Sequence, residues 1–270
     1  MSGLKLWRGG EMTTVDVSQR QVKSTERVRD LGEVFTPANT VQEMLNLLPN
    51  RMWNVHPSPT FLEPSCGDGN FLVAILDRKL QRIADDLETG MLPAGNSEQA
   101  AQFHALEALS SIYAVDISVD NIIGGRPGHE VGARSRLMEH FIEWHDFEFA
   151  LKPDDIEKNI KSANWIIQHN ILVGNMLPTD ADGKVTRRDE LPIIEYQFNP
   201  ANQEVKVLKS TLGDVLESAR TQIGEDLMLF GAAEPSMLWT GLAVDLFDAE
   251  QTSTPRFKGP VRNGPKRLNP

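Results

Sequence analysis

The chain has 270 residues, 40% of them hydrophobic, with 27 basic against 38 acidic side chains and a formal net charge of −11. That length holds one large domain or two small ones, and that apolar content builds a core, which excludes a disordered chain. A single cysteine, Cys66, excludes an internal disulfide and suits a reducing compartment. Apolar runs are short, as in Ile112–Val115 and Ile171–Val173, and residues 1–20 hold no signal-peptide core. The expectation is a soluble, cytoplasmic protein with no membrane partner. Charge is uneven. Five basic and no acidic residues lie between Pro255 and Pro270, leaving the preceding 254 with 22 basic against 38 acidic side chains, a net of −16. Any electrostatic footprint for nucleic acid is therefore local to the tail.

Residues 1–30 are polar and without periodicity, which predicts a mobile arm. Thr40 is placed to cap a helix with Val41, Met44, Leu45 and Leu48 on one face, ending before Pro49. Thr60–Glu63 predicts a short buried strand, Pro64–Gly69 a turn, and the helical spacing from Phe71 to Leu87 a helix starting near Asn70. Glu98–Leu109 follows as a helix and Ser111–Val115 as a second strand closed by Asp116. This alternation argues for a parallel sheet in an α/β fold. A Gly/Pro loop over 124–132 precedes a helix near Arg136–Phe147. Asp154–Lys161 is expected to hold one or two helical turns, and Trp165–Val173 the next strand. The Asp182-Gly183 pair marks a turn within a polar loop. Ile193–Phe198 and Glu204–Leu208 form a hairpin candidate around Asn199-Pro-Ala-Asn202. Ser210 is placed to cap a helix through Leu216, and periodicity fades past Gly231.

Three pieces of this pattern carry chemistry. Phe61-Leu-Glu-Pro-Ser-Cys-Gly-Asp-Gly-Asn-Phe-Leu72 runs from a strand through Gly-x-Gly into a helix. Such a turn lets the backbone approach a ligand without Cβ obstruction, although glycine turns also serve simply as connectors. Tyr113-Ala-Val-Asp116 sets an acid at the end of the next strand, where a carboxylate can accept hydrogen bonds from ribose hydroxyls. Gly32-Glu-Val-Phe-Thr-Pro37 stands upstream; alone it is an ordinary helix entry.

In this order the three motifs resemble those of the adenine-specific DNA methyltransferases. The nearest pattern is the group whose cofactor motifs precede the catalytic one, as in type I modification subunits and fused type II restriction–modification enzymes. The resemblance covers about residues 25–175. It implies an α/β, Rossmann-like S-adenosylmethionine-dependent methyltransferase core with a parallel central sheet. The domain would span 31–230, between the arm at 1–30 and an irregular segment over 231–270 ending in the basic tail. It also implies S-adenosylmethionine as cofactor. Phe35, Thr36 and Pro37 would pack around its methionine portion, and Glu63 would meet the amino-acid end. Ser65, Gly67 and Gly69 would line the turn beneath. Asp116 would bind the ribose and Ile117 would pack against the adenine. Asn175 stands where the family often has an acid for the adenine amine, and an amide oxygen can accept that bond. DNA would be the substrate, with a specificity or catalytic subunit as a further partner.

The family's Asn/Asp-Pro-Pro-aromatic catalytic signature, which holds and stacks an extruded base, is missing. The chain contains no Pro-Pro dipeptide. Asn199-Pro200 is the candidate in the correct order, but a hairpin turn explains it as well; Asn269-Pro270 follows no strand-like segment. This leaves a divergent or partner-dependent methyltransferase, or a catalytically inactive cofactor-binding relative acting as a regulatory or interaction module. The roughly 95 residues after the cofactor motifs leave little room for a separate DNA-recognition domain. The six histidines (56, 104, 129, 140, 145, 169) show no metal-ligand spacing, so no metal is expected. Cys66 reads as packing rather than a nucleophile, and Trp165 and Trp239 as core or interface residues. The tail could contact phosphates or be a solvated terminus.

Overall fold

A computed structural model describes residues 4–8, 11–15, 36–125, 131–180, 182–222 and 235–251. Strands β1 (Leu4–Arg8) and β2 (Glu11–Val15) pair antiparallel within the segment expected to be an arm. Helix α1 (Ala38–Asn46) begins two residues before the expected Thr40 cap. Pro37 takes the cap position instead, its carbonyl accepting the Val41 N–H at 3.0 Å. Proline is well suited there, because the chain start of a helix needs no N–H from it.

The chain then builds a parallel sheet. Strand β3 (Phe61–Glu63) is followed by α2 (Asn70–Glu88) and α3 (Glu98–Ser110), then β4 (Ile112–Asp116). After it come the short α4 (Val119–Ile122), α5 (Ala133–Phe149), α6 (Glu157–Asn170) and β5 (Ile171–Val173). The sheet order is β3-β4-β5, parallel throughout, with Phe61 opposite Ile112 and Ala114 opposite Ile171. The expected parallel sheet is present, and with three strands it is smaller than a full methyltransferase core.

One expectation fails clearly. Trp165–Asn170 belongs to α6, and the strand is confined to Ile171–Val173. A short apolar run has the same composition in a buried helix as in a buried strand. Here Asn159, Ser162, Ala163, Ile166, Ile167 and Asn170 are all buried at helical spacing.

Alternation along β4 sends its residues to two layers. Ile112 and Ala114 join the main core with Leu72, Leu76, Leu80, Leu106, Phe141 and Ile166, from α2, α3, α5 and α6. Val115 faces the other way, onto Leu191 and Leu212. That small second layer takes Leu191, Ile193 at the start of β6 (Pro192–Asn199), and Leu212 and Leu216 of α7 (Leu212–Gln222). Ile194 of β6 and Val205 and Val207 of β7 (Glu204–Thr211), the two strands of the predicted hairpin, join the main core. Thr211, not Ser210, caps α7: its hydroxyl accepts the Asp214 N–H at 3.2 Å while Asp214 accepts the Thr211 N–H at 3.0 Å. The expected irregular segment also contains structure. Strand β8 (Ser236–Leu242) pairs antiparallel with β7, and a 3-10 helix (Ala243–Gln251) packs on α6. The basic tail lies outside the described residues. No helix among them is long and apolar enough to cross a membrane.

Candidate ligand site at the carboxyl end of the parallel sheet

The Gly-x-Gly turn sits where β3 ends. Cys66 N–H donates to the Val115 carbonyl at 3.2 Å, hanging the turn on the neighbouring strand, and Gly69 N–H returns to the Cys66 carbonyl at 3.0 Å. Gly67 and Gly69 both adopt positive φ, 55° and 91°. A Cβ on Gly69 would lie 3.0 Å from the Ala133 Cβ, so glycine is required there both by conformation and by the close approach of α5. Gly69 caps α2 without any side-chain acceptor, leaving the first-turn N–H groups of that helix uncapped by a side chain.

Asp116, at the end of β4, is 6% exposed and closes the turn from below. Its Oδ2 accepts the Gly67 N–H at 2.9 Å, while Oδ1 accepts Ser118 N–H at 2.8 Å and the Asn121 amide at 3.2 Å. Three of roughly four carboxylate lone-pair positions are thus filled by the protein itself. Glu63 is half-buried and its Oε1 accepts the Ser65 N–H at 3.3 Å. Burial, with Asp116 and Glu63 nearby, pushes the Cys66 thiol far above its ordinary range. It stays protonated, in keeping with packing rather than attack.

The upstream motif also arrives here. The Asn70 amide donates to the Thr36 carbonyl at 3.0 Å, which seats Thr36 and Pro37 beside the start of α2. Phe35 lies outside the described residues. On the opposite flank, Gly174 N–H donates to the Asp116 carbonyl at 2.9 Å, so Asn175 follows directly. The Asn175 side-chain oxygen accepts the Leu177 N–H at 3.0 Å and so shapes its own loop. Ile117 projects beside Asp116 and is 49% exposed. Arg136 of α5 donates to the Asp68 carbonyl at 2.8 Å and pairs with its carboxylate at 3.1 Å.

Thr36, Pro37, Glu63, Ser65, Gly67, Gly69, Asp116, Ile117 and Asn175 therefore gather at one end of the sheet. Asn199 does not join them through any hydrogen bond among the described residues. It is the exposed last residue of β6, and its side-chain oxygen accepts the Ala201 N–H at 3.1 Å within the hairpin turn. Ser118, Asn121 and Arg136, which hold the turn and its aspartate, were not singled out by sequence. Only the Asx-type spacing of Ser118 from Asp116 hinted at any of them.

No protein-family model, curated protein or solved structure matches this chain.

Proposed function

We propose that the chain binds S-adenosylmethionine at the carboxyl end of its parallel sheet, as a methyltransferase-like protein of the DNA adenine methyltransferase kind. The observation that carries the reading is the convergence of Thr36, the Gly67–Asn70 turn and Asp116, which are distant in sequence and joined by direct hydrogen bonds. Open α/β sheets bind ligands in this position, outside the carboxyl ends of their strands. The residues suit the cofactor. Glu63 and the uncapped first turn of α2 can meet an ammonium and a carboxylate. Asp116 retains acceptor capacity for a hydroxyl, and Ile117 offers an exposed apolar face. The cofactor would supply an activated methyl group; the chain would supply binding and orientation. Methylation of DNA would then require a divergent acceptor site or a partner subunit of a restriction–modification system. Calorimetric titration with S-adenosylmethionine tests the binding: the wild-type chain should bind, and Gly67→Val should not while remaining folded by circular dichroism. Undetectable binding by the wild-type chain defeats the proposal.

The second reading is a cofactor-binding protein without catalysis, serving as a regulatory or interaction module. The exposed turn position of Asn199 favours it, because that side chain is committed to its own hairpin. Labelled cofactor and DNA, incubated with the chain alone and with the products of neighbouring genes, separate the two. Methylation by the chain alone excludes the inactive reading; methylation only with a partner supports the split enzyme.

A further inference from the structure

At the opposite end of the sheet, three side chains converge that nothing in the preceding reading uses. His56 lies in the connector before β3, and His104 and Glu107 lie on α3. Their ligating atoms all fall within 4.8 Å of one another. His56 Nδ1 is 2.8 Å from Glu107 Oε1, and His104 Nδ1 is 3.1 Å from Glu107 Oε2. The two histidines are 48 residues apart in sequence, which is why spacing did not reveal them.

The donor balance of His104 is the decisive feature. Its Nε2 faces the Pro93 carbonyl at 3.1 Å. A carbonyl only accepts, so Nε2 carries the proton. In the neutral ring, Nδ1 then presents a lone pair to a carboxylate oxygen, itself an acceptor. His104 is 0% exposed and Glu107 5%. Two facing lone pairs in a buried site require a positive centre between them, either a proton or a metal ion. The Nε2–H to carbonyl bond is also the outer contact that metal-bound histidines make, fixing the tautomer and aiming the other nitrogen at the ion.

We propose that His56 Nδ1, His104 Nδ1 and Glu107 form a site for one divalent transition-metal ion of the zinc class. Two imidazoles and a carboxylate favour Zn2+ over Mg2+ or Ca2+, which prefer all-oxygen sets. At ordinary zinc bond lengths, tetrahedral donors stand about 3.3 Å apart. The 2.8 and 3.1 Å contacts run to different oxygens of Glu107, and the three donors lie within 4.8 Å of one another, so one ion is held if the carboxylate binds through both oxygens or turns while the imidazoles draw together. Three protein ligands leave a fourth position for water on the side of the partly exposed His56. The neighbouring Lys79 does not occupy the ligand set: its Nζ donates to Ser58 Oγ and the Pro59 carbonyl, both at 2.8 Å. Ser58 N–H donates to Glu107 Oε1 at 3.1 Å and helps to fix the carboxylate. The ion would staple the connector entering β3 to α3.

The test uses the full chain stripped by chelator, titrated with Zn2+ by calorimetry and with Co2+ by visible absorption. The wild-type chain should bind one equivalent of Zn2+, and Co2+ should give the ligand-field bands of nitrogen coordination. Glu107→Gln keeps an acceptor for Ser58, and His56→Asn changes a partly exposed residue, so both variants should fold. Each should weaken Zn2+ binding by at least about tenfold. His140→Asn, outside the cluster, should leave it unchanged. Absence of stoichiometric binding by the wild-type chain overturns the proposal. Equal affinity in Glu107→Gln and His56→Asn overturns it as well.

Discussion

Lys79 gives a pH dependence whose size follows from its surroundings. The side chain is 2% exposed, on α2, and burial lowers its pKa from 10.5 to about 7, with Glu107 opposing the shift. That difference corresponds to about 5 kcal/mol favouring the neutral amine on folding. Below pH 7 both folded and unfolded chains hold the proton, and the folded state bears the full cost of a buried ammonium. Between pH 7 and 10.5 the unfolded chain binds more protons, so this group makes stability rise with pH, by about 1.4 kcal/mol per pH unit. Lys79→Met removes the titration. It also leaves Ser58 Oγ and the Pro59 carbonyl without their donor, at about 1–3 kcal/mol each, but that penalty does not vary with pH. Urea unfolding of both proteins, in chelator and from pH 6 to 9.5, separates the two effects. The wild type should gain about 2–3 kcal/mol on the variant between pH 7.5 and 9.5, with little change below pH 6.5. A stability difference that stays constant over the whole range refutes the assignment of a buried, largely neutral lysine.

Three further outcomes are expected. Gly69→Ala must place a Cβ 3.0 Å from that of Ala133 at a φ of 91°, so its urea midpoint should fall by the equivalent of about 1–3 kcal/mol; a loss under about 0.5 kcal/mol would show that the turn relaxes freely. Cys66, held protonated by burial beside Asp116 and Glu63, should react with a thiol reagent at pH 8 at least about a hundredfold more slowly in the folded chain than in urea, and comparable rates would contradict that environment. The chain's two tyrosines, Tyr113 and Tyr196, are both raised by burial, so absorbance at the phenolate band should show no ionisation in the folded protein at pH 10, where the unfolded chain is about half ionised. Half-titration of the folded chain at that pH would place at least one ring in solvent.

The elements around the candidate ligand site were legible because each is written locally. A strand of three residues is anchored by the glycine turn behind it, and α2 repeats its apolar positions at the helical period from Phe71 to Leu87. Asp116 is marked by closing an apolar strand. Legibility ends where a residue acts through tertiary contact. Trp165–Ile167 read as strand because nothing local distinguishes a buried helix from a buried strand, and only the packing of α6 on α3 and α5 decides it. β8 lacks clean alternation, and its pairing with β7 includes an irregularity at Val207/Leu208, so its partner defines it. Helix α3 is buried around its whole circumference, so the chemistry of His104 and Glu107 is hidden within an apolar segment until the connector brings His56 against them.

The same distinction between local and tertiary roles decides how the ligand site should be tested. Asp116 is the obvious target, but its carboxylate already holds Gly67, Ser118 and Asn121. Asp116→Asn would set an amide hydrogen against at least one of these donors and disturb the turn, whether or not the carboxylate ever meets a ribose. Loss of binding there is compatible with contact and with positioning alike. Ile117 is free of that ambiguity. It is 49% exposed at the same edge, and its side chain has no polar partner to lose. Ile117→Asp should leave the urea midpoint within about 0.5 kcal/mol of wild type, as exposed substitutions do. It should nevertheless weaken S-adenosylmethionine binding by at least about tenfold, through lost apolar contact and a desolvated charge. Asp116→Asn should move both quantities. If Ile117→Asp binds as the wild type does, the adenine does not lie on that face, and the ribose contact assigned to Asp116 loses the neighbour that places it.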